Sequence, residues 1–219
     1  MNLLVKFPTR SRPDKFLEVL GKYTSMSTTG KVRYLITLDI DDELTNRQEV
    51  IGKAKSMGDV TVAVGVSQGK IHACNRDMEQ AGEWDVVVLA SDDMVPVKAG
   101  WDAYVTAAFG IYFPDTDGVI HFSDGHTPLN TQCILGRKYF DRFGYIYHPA
   151  YRSLWCDNEF QQVSWTLDKS VFINETIIEH QHYTNGYGQP DALMRYTERL
   201  YDLDRRTYEK RKQMNFGLK

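Results

Sequence analysis

Trp84-Asp85-Val86-Val87-Val88-Leu89-Ala90-Ser91-Asp92-Asp93-Met94-Val95 is the stretch that decides the fold of this chain. The unbroken apolar run Val86 to Leu89 reads as a strand buried on both faces, as in a parallel sheet. Two adjacent carboxylates follow it at once. Unpaired carboxylates are too costly to bury in a core. They fit the carboxyl edge of an open α/β sheet, where ligands collect and a divalent cation could neutralise them.

The chain upstream repeats the pattern. Residues 3–7, 32–38, 60–66 and 85–89 read as strands, and the segments between them carry helical signals. Ser11 three residues before Asp14, with Pro13 between, predicts a helix over 14–23. Thr45 with Gln48 resembles a second capping box, and Val50, Ile51, Ala54 and Met57 mark one helical face that stops at Gly58. A third helix is expected over 71–81, with Gly82 beyond its end. Strand–helix alternation at this spacing implies right-handed crossovers and a largely parallel sheet, so the fold class is α/β.

The second half is less regular. Strands are expected at 118–122 and 131–135, flanking a loop over 123–130 rich in Gly, Pro, Asp and His. A short helix over 138–143 stops at Gly144, a further helix spans 157–165, and one or two strands fall within 171–179. From Asp191 the tail reads as helix, with Leu193, Tyr196, Leu200 and Leu203 as its apolar stripe. Asp191–Arg195 and Asp202–Arg206 are expected to pair at i,i+4. The whole, 1–219, reads as one unit: a first half (1–95), a second half (96–190) and a helical tail (191–219).

Composition narrows the function classes. With 219 residues, 42% hydrophobic and 25% charged, the chain is an ordinary globular one with room for a sizeable core. A net charge of −3 gives no whole-molecule argument for nucleic acid or an anionic membrane. No apolar run approaches the ~20 residues of a spanning helix, and the opening residues 1–7 read as a strand rather than a signal peptide. Cys74, Cys133 and Cys156 lack metal-site spacing and read as small buried hydrophobes, an odd and sparse count that points to a reduced cytoplasmic setting.

Several loops carry chemistry. Pro8-Thr9-Arg10-Ser11-Arg12-Pro13 opens a helix with two arginines beside its amides, which suits an anionic ligand; a plain solvated loop is the competing reading. Asp39, Asp41 and Asp42 end the second strand, where a carboxylate can take hydrogen bonds from a base or a ribose hydroxyl. Asp92 and Asp93 suit Mg²⁺ or Mn²⁺, which prefer oxygen ligands and share them with phosphates. In His180-Gln181-His182 alternation turns both imidazoles to one face, and His182, further from the strand, is the candidate ligand. Trp155-Cys156-Asp157-Asn158-Glu159 sets two carboxylates at a helix start, where one could serve as general base and Asp157 could equally be an N-cap.

The order of these motifs resembles a GT-A-fold glycosyltransferase, and more narrowly the inverting family 2 transferases. The resemblance runs from Leu3 to His182 and is best in the first hundred residues. It implies a mostly parallel sheet flanked by helices, a nucleotide-sugar donor, a glycan or other hydroxyl acceptor and a divalent metal, Mn²⁺ or Mg²⁺. By position, Pro8, Thr9 and Arg10 match the first nucleotide-contacting loop. Asp39 matches the acid that reads the base, with Asp41 as its rival. Lys70 and Asn75 match the segment lining the nucleotide pocket. Asp92 matches the ribose side and Asp93 the metal and diphosphate side of the Asp-x-Asp region, while His182 matches a late metal or diphosphate contact.

Asp157 matches the general base, with Glu159 as its rival, and Tyr145, Tyr147, Tyr151 and Trp155 would form an acceptor platform. This chain departs from the pattern twice: Ala90 stands where the first aspartate of Asp-x-Asp is usual, and Cys156 where the Glu of Glu-Asp is usual. The Gln-x-x-Arg-Trp signature of processive polysaccharide synthases is absent. Two other readings compete: a non-catalytic nucleotide-sugar or glycan-binding module, and a sugar-phosphate nucleotidyltransferase, against which stands the lack of a glycine-rich first loop.

Overall fold

The structure is a computed structural model that describes residues 1–218. Nine strands are β1 (Leu3–Thr9), β2 (Val32–Asp39), β3 (Val60–Gly65), β4 (Val86–Leu89), β5 (Met94–Pro96), β6 (Val119–Phe122), β7 (Ile134–Gly136), β8 (Ser170–Ile173) and β9 (Ile178–His180). Eight α-helices are α1 (Pro13–Ser25), α2 (Gln48–Lys55), α3 (Lys70–Asn75), α4 (Trp101–Tyr112), α5 (Arg137–Phe143), α6 (Cys156–Thr166), α7 (Ala192–Glu198) and α8 (Tyr201–Gln213). Seven strands form the main sheet in the order β3-β2-β1-β4-β7-β6-β8, and β5 pairs with β9 in a small second sheet.

The first four strands are parallel, and β4, VVVL buried on both faces, lies inside the sheet between β1 and β7. The direction then changes. β7 runs antiparallel to both β4 and β6, and β8 pairs parallel with β6. Alternation along β1 splits the core in two. Leu3, Val5 and Phe7 face α1, α2 and α4 with Phe16, Leu20, Tyr23 and Trp101, while Leu4 faces α3, α5 and α6 with Ile71, Tyr139 and Phe160. Trp101 Nε1 donates to the Tyr23 carbonyl at 3.1 Å, satisfying the one polar atom that so large a buried ring carries. Gly136 is required by close approach: a Cβ there would lie 2.1 Å from the Thr116 carbonyl oxygen.

Eight of the nine strands overlap expected ones, while β5 and the helix α4 have no counterpart in the sequence reading, and the expected helices differ in instructive ways. Neither expected capping box forms: α1 and α2 start at Arg12 and Arg47 with no side-chain cap. Asp42 takes over that role for the loops, accepting the Ser11 amide at 2.7 Å and the Leu44 amide at 3.2 Å. The helix expected over 71–81 stops at Asn75, because Asp77 adopts a left-handed conformation before a short 3₁₀ turn, Met78–Gln80. In the tail, Tyr196 and Leu203 stay exposed, so the predicted stripe is not the buried face. Asp191 pairs with Arg12 rather than Arg195, and Asp202 with Arg205 rather than Arg206.

One charge is fully buried in the sheet. Lys6, on the face of β1 opposite Phe7, donates to Thr37 Oγ1 and, at 2.7 Å, to the Arg76 carbonyl; Thr37 in turn donates to Asp77 at 2.9 Å. Burial pulls its pKa down to about 8, partly offset by Asp77. Between about pH 8 and 10.5 the folded protein has released this proton and the unfolded chain has not. The unfolded state then binds more protons, so stability rises with pH across that window. Chemical denaturation of wild type and Lys6→Met from pH 7.5 to 10.5 is expected to show wild type gaining up to about 3 kcal/mol relative to the variant.

Candidate active site

The ends of β1, β2 and β4, the start of α3, the start of α6 and the end of β9 converge at the carboxyl edge of the parallel strands. Arg10, just after β1, reaches across to β2. Its guanidinium donates to Asp39 at 2.8 Å and grips Asp41 with two bonds of 2.6 and 2.9 Å. The expected nucleotide loop and the expected acidic strand end therefore do meet. Thr9 Oγ1 and Asp39 Oδ1 are buried without a hydrogen-bond partner; Thr9 stands opposite Leu38 in the register, so the two side chains leave the adjacent strand ends on opposite faces of the sheet. Arg76 closes this corner. It donates to the Leu38 carbonyl at 2.6 Å, stands 3.8 Å from Asp39 Oδ1, and lies so close over Gly65 that a Cβ there would meet it at 2.4 Å.

Beyond β4, Ala90 continues the ladder, donating its amide to the Lys6 carbonyl at 2.8 Å, and is buried. Asp92 turns inward to Arg12 at 2.9 Å, and Arg12 holds Asp191 with its other edge at 2.6 Å. Burial raises the Asp92 pKa, with Arg12 pulling against it. Asp93 is held the other way. Burial opposes its charge, yet His180, a short bond from Ser91 and the field of Lys70 together hold its carboxyl below the usual carboxylate range. His180 Nε2 stands 3.8 Å from Asp93 Oδ2, and its Nδ1 stands 3.9 Å from the buried Asp124. Asp124 is itself fixed by the amides of His126 and Thr127 and by Thr131.

Asp157 lies in the first turn of α6, whose N-cap residue is Trp155. It is half-buried, and desolvation raises its pKa against the opposing pull of the Asn158 amide, Lys70 and His180. Lys70, at the start of α3, has its pKa raised against desolvation by the fields of Cys156, Asp93, Cys74 and Asp157. Glu159, two residues on, has a different fate. It is buried in a two-bond ion pair with Arg211, both bonds 2.7 Å, and it accepts the Tyr151 hydroxyl at 2.7 Å. That carboxylate is neutralised by Arg211 and already accepts three hydrogen bonds.

No protein-family model matches the sequence, and no curated protein matches it. Solved structures do. One is a mannosyltransferase, PcManGT, from Pyrobaculum calidifontis in complex with GDP-Man and Mn²⁺, with a TM-score of 0.66 at 14% identity over 83% of this chain and 57% of that one. Another is S. aureus TarS 1-349 in complex with UDP-GlcNAc, with a TM-score of 0.67 at 14% identity over 89% of this chain and 60% of that one. The fold is GT-A. A third GT-A structure, glucosyl-3-phosphoglycerate synthase from Mycobacterium tuberculosis with Mg²⁺ and UDP, matches with a TM-score of 0.56 at 12% identity over 87% of this chain and 81% of that one. This chain spans less than two thirds of the first two relatives' length.

Within the GT-A fold the residues singled out in the sequence divide in two. Thr9, Arg10, Asp39 and Asp41 form one corner, and Lys70, Asp93 and Asp157 with His180 form another. Pro8 is a ladder residue of β1, opposite Thr37. His182 stands behind His180, ring centroids 5.3 Å apart, with Nδ1 2.8 Å from Thr184 Oγ1; His180 is the imidazole that faces Asp93. Burial holds the His182 pKa down. Of the aromatics expected as a platform, Tyr147 and Tyr151 are core residues. Arg12, Arg76, Asp124 and His180 carry much of the geometry; the sequence signalled Arg12, in the loop that opens α1, and His180, in the His-Gln-His pair, but neither Arg76 nor Asp124.

A divalent cation fits the donor chemistry. Asp93 supplies a carboxylate held ionised, and His180 an imidazole nitrogen close enough for the two to share one ion. Among the described residues no group of three or more His, Cys, Asp or Glu side chains forms a metal site. Remaining ligands would therefore come from phosphate oxygens and water.

Asn75 has another occupation. Its Oδ1 accepts the amides of Ile146 and Tyr147 at 3.0 and 3.1 Å, and its Nδ2 donates to the Tyr147 carbonyl at 2.7 Å. The whole amide is used to fasten a loop 72 positions away. Asn75→Ala is expected to lower unfolding free energy by roughly 2–3 kcal/mol, read by urea titration, because two amides and a carbonyl lose their partner together.

Proposed function

We propose that this chain is an inverting glycosyltransferase of family 2 type, moving a sugar from a nucleotide-sugar donor to a hydroxyl acceptor with a divalent metal, Mn²⁺ or Mg²⁺. The observation that carries the reading is the placement, on a GT-A fold, of Asp93 just past β4 with His180 Nε2 at 3.8 Å and of Asp157 in the first turn of α6, the first carboxyl shifted to lower pKa and the second to higher. A carboxylate kept ionised suits a cation and diphosphate, and one with elevated basicity suits proton removal. The relatives' bound ligands, GDP-Man with Mn²⁺, UDP-GlcNAc, and UDP with Mg²⁺, support the same donor class.

The chain's own groups would act as follows. Asp39, held in place by Arg10 and Arg76, offers the acceptor for a base or ribose, and Thr9 ends the adjacent strand. Asp93 and His180 would hold the metal, which offsets negative charge on the departing nucleoside diphosphate. Lys70, at the start of α3, adds a positive charge whose field reaches Asp93 and Asp157. Asp157 accepts the proton of the acceptor hydroxyl as that oxygen attacks the anomeric carbon opposite the leaving group, so the configuration inverts. Glu159 is excluded from this role by Arg211 and Tyr151.

The test is turnover of a panel of UDP- and GDP-sugars with Mn²⁺ and varied hydroxyl acceptors. Asp157→Asn is expected to lower kcat by about 10²–10⁴-fold with little change in donor Kd, and Asp93→Ala to abolish the response to Mn²⁺. Wild-type kcat should fall as pH drops through the raised Asp157 pKa, because the protonated carboxyl cannot accept a proton, placing the acid limb above the usual carboxylate range. Ala90 and the Arg12-bound Asp92 favour one rival, a binding module. Calorimetric donor binding with no turnover across the panel would establish that rival instead.

A further inference from the structure

The C-terminal helix α8 has only one fully buried polar residue, and it is an aspartate. Asp204, 0% exposed, takes three consecutive backbone amides: Arg152 at 2.9 Å, Ser153 at 2.8 Å and Leu154 at 2.8 Å. A carboxylate satisfied by successive N–H groups is a strong, directional anchor. These amides immediately precede the turn that carries Asp157. On the far side of Asp157, Arg211 of α8 grips Glu159 with two bonds of 2.7 Å. Between the two grips, Trp155 lies against Tyr201 and Tyr208, ring centroids 5.5 and 5.2 Å apart.

Tyr201, Asp204, Tyr208 and Arg211 are spaced by three, four and three residues, so they form one face of α8. That single face holds residues 152–159 at three places, with Asp157 in the middle. The turn needs holding. Trp155 sits at φ 63°, a left-handed conformation that a bulky side chain adopts only when its surroundings enforce it, and α6 starts there with no side-chain cap.

We propose that α8 is a positioning element for Asp157, with Asp204 and Arg211 as its positioning residues. This rests on reading Asp157 as the base. The face fixes the backbone from which the Asp157 carboxylate reaches toward Lys70 and His180, while leaving the donor corner at Arg10 and Asp39 untouched. Loosening it changes proton transfer and not donor affinity.

The experiment compares wild type with Asp204→Asn and with Arg211→Lys, which keeps the charge but not the two-bond grip, all assayed well below their melting temperatures. Amide hydrogen exchange across 151–158 is expected to speed up by about 10-fold or more, with β1–β4 unchanged. Donor Kd and acceptor KM should stay within about 3-fold while kcat falls about 10–100-fold, the effect of a misplaced base. Unchanged exchange in that segment, or lowered exchange protection with kcat intact, overturns the proposal. A purely structural role would lower the active fraction and melting temperature without this split. If Asp204→Asn does not fold, Arg211→Lys decides by the same two measurements. If wild type shows no transfer at all, the catalytic reading fails by itself, and the exchange data still decide whether α8 governs the turn.

Discussion

β4 is clamped between a parallel neighbour, β1, and an antiparallel one, β7, and the rest of the site hangs on that clamp. The ladder continues one residue past the strand, through the Ala90 amide, so Ala90 belongs to the core and a carboxylate there would be buried. The first residues free to turn are Ser91, Asp92 and Asp93. Asp92 folds back to Arg12 and Asp93 forward to His180, which the β5–β9 pair brings alongside through the register Met94↔His180. The missing acid at position 90 is thus a consequence of strand geometry as well as a departure from a motif.

Two carboxylates two residues apart show how strongly helix geometry partitions roles. At about 100° per residue, positions 157 and 159 point to nearly opposite sides of α6. One side meets the cleft, where Asp157 is left with an elevated pKa; the other meets α8, where Glu159 is neutralised by Arg211. The residue types alone cannot separate these fates, and the sequence reading accordingly leaves both open.

The strands were legible because buried parallel strands leave a hydropathy signature, and the site's location followed from carboxylates at strand ends. The ion pairs were not. Arg12 finds Asp191 at a separation of 179 residues and Asp92 at 80, and Arg76 reaches Asp39 only because Asp77 breaks the helix that a periodic pattern implies. The tail is the clearest case. Leu193, Tyr196, Leu200 and Leu203 have the right period, yet the face that docks is Tyr201, Asp204, Tyr208 and Arg211. Its period is equally helical, but half its members are charged, and hydropathy is blind to charges that will be matched. The capping signals at Ser11 and Thr45 gave way to Asp42, which takes the amide of Ser11 from 31 residues away and those of Leu44 and Thr45 from its own turn.

The cleft also carries its own counter-ions. Arg10 is already balanced by Asp39 and Asp41, and Arg12 by Asp92 and Asp191. An anion entering here exchanges one negative partner for another instead of filling an open positive field, so the Coulomb gain is a difference and few salt ions are released. Such a site chooses its ligand by shape and hydrogen-bond direction more than by charge. It also explains how a chain of net charge −3 can be built around arginines.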